Sequence, residues 1–98
     1  MPARNQKLTH LIAGRRVASS QQDGDGLIVA FEDASKLTIR TKVAIPTLPI
    51  GGTVHAVQED GPLLLLGFEG GESASITVAS PGGSVILRDG HDVLEYAG

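Results

Sequence analysis

An all-β fold is what this chain of 98 residues predicts: a small antiparallel barrel or roll, or a two-sheet sandwich, of seven or eight strands. Three observations carry that expectation. First, the chain repeats itself. Laying residues 14–41 on residues 51–78 without a gap gives nine identities in 28 positions, where background usage gives roughly two. They are Gly14/Gly51, Val17/Val54, Gln21/Gln58, Asp23/Asp60, Gly24/Gly61, Leu27/Leu64, Phe31/Phe68, Glu32/Glu69 and Ile39/Ile76. Second, 13 Gly and 5 Pro supply many tight turns, which suits short strands joined by hairpins better than helices. Third, short apolar runs bounded by turn residues carry strand patterning, cleanly alternating at a period of two over Lys36 to Val43.

The elements follow in order within one domain, 1–98, because a chain of this length buries about two thirds of its unfolded surface in a single core. In the N-terminal segment, 1–13, Leu8, Leu11 and Ile12 stand at helical spacing, so a short helical turn is expected, ended by Gly14. The first repeat, 14–43, opens with a strand over Arg15 to Gln22 and turns at Asp23-Gly24-Asp25-Gly26, since Asp and Gly tolerate positive φ. The next strand, Leu27 to Asp33, points Leu27, Val29 and Phe31 one way and Ile28 and Ala30 the other. Both faces are apolar, so this strand is expected mid-sheet and covered on both sides. Lys36 to Val43 then alternates, with Leu37, Ile39, Thr41 and Val43 inward and Thr38, Arg40 and Lys42 outward.

The prolines of Ile45-Pro46-Thr47-Leu48-Pro49-Ile50 cannot donate ladder hydrogen bonds, so 44–50 is expected to be an extended linker whose Ile45, Leu48 and Ile50 pack over an open end of the sheet. The second repeat, 51–79, copies the first: strands Thr53 to Glu59, Leu63 to Glu69 and Ser73 to Ala79, with Leu64, Leu66 and Phe68 inward and Leu63, Leu65 and Gly67 outward. A final hairpin, 81–98, has no counterpart in the first half. A three-strand meander cannot bury its own apolar face, so the repeats are expected to pack on each other about an approximate two-fold, with the hairpin closing an edge.

Composition excludes several functions. The absence of Cys rules out disulfides and thiolate metal sites. Aromatics are 3% of the chain, so the stacking rings of single-strand nucleic-acid binders are missing, and nucleic acid is not an expected partner. No apolar run reaches the length of a signal peptide core or membrane span, which leaves a cytoplasmic location and no membrane as the expectation. The net charge of -3 hides polarity: residues 1–49 hold seven cations against four acids, and residues 50–98 hold one against seven. That asymmetry can steer an anionic partner to one end or bring two copies together in opposite orientation.

Candidate chemistry is sparse. His10, His55 and His91 share no metal-ligand spacing, and no cofactor is implied. Asp23/Asp25 and Asp89/Asp92 resemble fragments of calcium loops but lack the later bidentate acid, so hairpin turns account for them better. Gly70-Gly71 and Gly82-Gly83 precede strands, whereas phosphate loops lead into a helix. Glu32 and Glu69 end the two central strands, and a two-fold would bring them together as a carboxylate pair for a hydrolase-like reaction; with no nucleophile or base in their local sequence, catalysis is the weakest reading and no catalytic residue is assigned. Arg16, Arg40 and Lys42 are expected to share the outer face of the first repeat as a basic patch. The leading expectation is a non-enzymatic β module that acts through protein association and self-associates as a homodimer, using the outward apolar residues Ile28, Ala30, Leu63 and Leu65. The alternative is a barrel binding a small anionic or apolar molecule, with Arg40 and Lys42 or Leu48 and Ile50 at its mouth.

Overall fold

The computed structural model describes residues 3–41, 48–80 and 83–98. Nine strands and one helix run in the order β1 (Ala3–Arg4), α1 (Gln6–Ile12), β2 (Val17–Asp23), β3 (Gly26–Phe31), β4 (Lys36–Arg40), β5 (Val54–Asp60), β6 (Leu63–Phe68), β7 (Ser73–Thr77), β8 (Val85–Arg88) and β9 (Leu94–Ala97). They form two antiparallel sheets, β1-β5-β6-β7 and β2-β3-β4-β8-β9. The all-β expectation holds, and among the described residues the sheets do not close into a barrel.

The duplication seen in sequence is also one of backbone. Each repeat is a three-strand meander with a bulge at the same place, between Val17 and Ser19 in β2 and between Val54 and Ala56 in β5. The turns match in conformation, with Gly24 at φ +58° and Gly61 at +57°. The halves meet across an antiparallel bridge between Arg16 and Thr53, which are themselves equivalent positions. Around it hydrogen bonds come in related pairs: the Gly14 amide donates to the Val54 carbonyl (2.8 Å) and the Gly51 amide to the Val17 carbonyl (2.7 Å). The Val54 amide donates to Arg15 and the Val17 amide to Gly52, both at 2.9 Å. Gly14 at φ +91° and Gly51 at +83° take up left-handed backbone that a side chain would strain, which turns each chain end towards the other half. The bulges bend β2 and β5 towards that axis.

Between the sheets lies an aliphatic core. Leu27, Val29 and Phe31 of β3, and Leu64, Leu66 and Phe68 of β6, are all buried, joined by Leu37, Ile39, Ile76, Val85 and Leu87. The helix plugs one end of this interior with Leu8 and Ile12. It forms where the sequence spacing placed it, because the Asn5 side-chain oxygen caps it by accepting the Leu8 amide at 3.0 Å. The Thr9 hydroxyl docks it on β5, donating to the Val57 carbonyl (3.2 Å) and accepting the Val57 amide (2.9 Å).

The hairpin of β8 and β9 closes the edge of the first repeat, pairing Lys36, Leu37, Thr38 and Ile39 with Arg88, Leu87, Ile86 and Val85. Arg15, 18% exposed, ties it down by bonding Glu95 at 3.0 Å while facing Asp33 at 3.5 Å. The linker expectation falls largely on residues outside the described set. Of those described, Leu48 joins the core at 1% exposure, whereas Ile50 is 62% exposed and packs over nothing.

Candidate functional site

The strand pairings define two outer faces. On the five-stranded sheet, Gln21, Ile28, Thr38, Ile86 and Ala97 form one row from β2 to β9, and Ser19, Ala30, Lys36, Arg88 and Leu94 form the next. Arg40 opens a third row beside Gly26. Ile28 and Ala30 are half-buried, Ile86 is 37% exposed, Leu94 52%, and the neighbouring Val93 56%. Three cations, Lys36, Arg40 and Arg88, thus flank an aliphatic strip, and a shallow groove over Ile28, Lys36, Thr38 and Arg88 runs to the Asp89–Asp92 turn. Arg88 is partly neutralised there by the Asp92 carboxylate at 3.9 Å.

The outer face of the second sheet is nearly uncharged around Leu65. Gln58 and Ser75 flank Leu65 across the sheet, and Leu63 lies between Asp60 and Thr77. Leu63 and Leu65 are half-buried, as are Ile28 and Ala30, and a smaller groove opens over Leu65, Ala56 and Gly67. Among the described residues, the cover expected on both sides of the central strands is complete only on the inner side.

The basic patch expected of Arg16, Arg40 and Lys42 is not assembled by the two members that are described. Arg16 lies opposite Glu32, just past one end of β3, and Arg40 pairs with Gly26 at the other, so Arg16 and Arg40 stand about 20 Å apart along the strand. Arg16 instead faces Glu32 at 3.8 Å and donates to the Gly51 carbonyl at 3.3 Å. Lys42 lies outside the described residues. Lys36 and Arg88, which no motif marked, are the cations that join the aliphatic strip. Their signal was available: outward positions of β4 alternate Lys36, Thr38, Arg40, and Val85-Ile86-Leu87 is apolar on both faces of β8.

Glu32 and Glu69 flank the two-fold as expected, their amides donating to the Arg16 and Thr53 carbonyls at 2.9 Å. Two strands separate them, which puts their backbones about 14 Å apart, and the Glu32 carboxylate faces Arg16 at 3.8 Å. His10, His55 and His91 are all exposed, and the described residues contain no cluster of metal-ligating side chains. The Asp89 carboxylate accepts the His91 and Val93 amides at 2.8 and 2.9 Å, and those bonds hold its pKa below the ordinary carboxylate value. It is a turn acid. A small pocket between Leu63, Leu64, Val78, Val85 and Gly98 measures about 40 Å³, space for a few waters. No described helix is long and apolar enough to cross a membrane. Family models, curated proteins and solved structures were compared with the chain, and none matches.

Proposed function

We propose that this is a non-enzymatic β module that works by protein association and that self-association belongs to its working state. The outer face of the five-stranded sheet is the surface that meets another protein. One observation carries the reading: Ile86, Val93 and Leu94 are three of the four large apolar side chains left exposed among the described residues, all in the last hairpin, and the pairings put Ile86 and Leu94 on the same outer face as Ile28. Exposed aliphatic residues grouped in this way mark an interaction surface more often than scattered ones do. The flanking Lys36, Arg40 and Arg88 select a partner with an apolar centre and carboxylates at its rim, by electrostatic complementarity.

Lys36 makes the face testable. A zero-length carbodiimide reagent, which joins amines to carboxylates in direct contact, should couple Lys36 to partner proteins in lysate of the native host. The double variant Ile86→Glu, Leu94→Glu should abolish those adducts while its far-UV spectrum stays unchanged. Lys36 adducts that survive the double variant, or none in the wild type, would refute the assignment.

A further inference from the structure

Lys36 and Arg88 are directly opposed in the pairing of β4 with β8, and both stand exposed on the outer face. Like charges so placed weaken a strand pair, and this pair is only partly neutralised. Arg88 turns to the last hairpin, its Nη1 donating to the Asp92 carbonyl at 3.2 Å and its Nε facing the Asp92 carboxylate at 3.9 Å. The Asp89 carboxylate is bonded to the His91 and Val93 amides of its own turn. Lys36 takes part in no ion pair among the described residues. Residues 1–2, 42–47 and 81–82, outside that set, contain no acid.

The scaffold does not need these cations. Lys36, Thr38 and Arg40 are equivalent to Ser73, Ser75 and Thr77, and β7 pairs with its central strand in the same register without any charge. A charge kept at a cost to strand pairing, where the equivalent strand does without one, points to a ligand. Its neighbours indicate the chemistry. Thr38 shares the face with Lys36 two residues on, and its hydroxyl makes no hydrogen bond among the described residues. Between Cβ atoms, Lys36 lies about 5 Å from Arg88 and about 7 Å from Thr38. Ala30 beside Lys36, and Ile28 and Ile86 on either side of Thr38, supply an aliphatic floor under the shallow groove.

We propose that Lys36, Thr38 and Arg88 form a seat for one carboxylate of a partner protein, an Asp or Glu side chain whose aliphatic neighbours lie on Ile28 and Ile86. This seat presupposes the outer-face association proposed above and sets its specificity. Arg88 offers the planar fork that matches a carboxylate, and Lys36 adds a point charge. Asp89 and Asp92 at the end of the groove hold the net charge low, which suits a singly charged carboxylate better than a phosphate group.

Two blocked peptides, acetyl-Ser-Leu-Glu-Leu-Ser-amide and its Gln counterpart, are the probes, titrated into the full chain and read by amide chemical shifts. The Glu peptide should move Lys36, Thr38 and Arg88, and the Gln peptide should bind about 10-fold more weakly. Lys36→Ser, the change to the residue of the second repeat, should equalise the two affinities while Tm stays level or rises; Lys36→Arg should keep the preference. Equal affinities in the wild type, a preference that survives Lys36→Ser, or no shift at these three residues at any soluble concentration would overturn the seat. So would inorganic phosphate moving the same amides at lower concentration than acetate, which would make it a general anion site. Equal peptide affinities together with Lys36 adducts that depend on Ile86 and Leu94 would leave the association standing without the seat.

Discussion

Ala34 holds φ at +73° in the turn after β3, where the second repeat has Gly71 at +94°. A Cβ in the left-handed region costs about 1–2 kcal/mol, and glycine returns part of that as unfolded-chain entropy. Ala34→Gly should therefore stabilise the protein by about 0.5–1 kcal/mol, seen as a rise of a few degrees in Tm. In the same turn the Asp33 carboxylate accepts the Ser35 hydroxyl and the Ser35 amide and faces Arg15, so its pKa lies below the ordinary value, the Ser35 hydroxyl being the largest cause. Asp89 is lowered likewise by the Val93 and His91 amides. A depressed carboxylate stabilises the fold while ionised, so the contribution is complete above the unfolded value and is lost as pH falls through the folded one. Denaturant midpoints should hold between neutrality and about pH 5 and decline below about pH 4, and Asp33→Asn should flatten that decline. At this scale the sequence placed a hairpin turn at Asp89, where the structure has it. It did not show that Arg15 would hold Glu95, eighty positions away, because that pairing depends on where the last hairpin docks.

Among the elements, α1 owes its place to one hydroxyl. The Val57 carbonyl also accepts the Asn5 amide at 2.9 Å, but the Val57 amide donates to the Thr9 hydroxyl oxygen. Thr9→Val keeps the shape and orphans that amide, at a cost of about 1–3 kcal/mol, whereas Thr9→Ser should cost far less; urea denaturation distinguishes them. Element identity was legible because its signals are local: the Asp-Gly turns, the alternation along β4, and Leu8, Leu11 and Ile12 at helical spacing. Strand ends moved by a residue or two, as at β3, which stops at Phe31. The separation of Arg16 from Arg40 was legible as well. Three consecutive antiparallel strands put the start of the first and the end of the third at opposite ends of the middle one, and counting around Gly24 gives the result. Which face of the central strands is covered was not legible, since Ile28 and Leu65 are as apolar as residues that are buried.

At the scale of the molecule the halves share one core and exchange hydrogen bonds at their common axis, so neither should melt alone. Calorimetric and van't Hoff enthalpies should agree in a single transition, and two separate transitions would contradict a shared core. Leu27 and Leu64 are equivalent and fully buried, so truncation of either to Ala should cost about 2–5 kcal/mol, with the two values agreeing within about 1 kcal/mol in denaturant titrations. The duplication predicted this much, because nine shared turn and core residues constrain backbone shape. It was silent on which edge β8 would take, since β8 pairs with β4 of the first repeat and with β9 of its own hairpin. Among the described residues β4 has a strand on each side and β7 on one side only, which has a consequence for folding. A duplicated scaffold offers the incoming β8–β9 ribbon two berths with the same backbone geometry, and only side chains label the correct one. Leu37 stands at β4 where β7 has Ala74, and Arg15 reaches Glu95 where the other half has Gly52. Erasing those labels, with Ala74→Leu and Arg15→Gly together, would let the ribbon settle at either address and yield two slowly exchanging isomers of one chain, visible as doubled amide resonances.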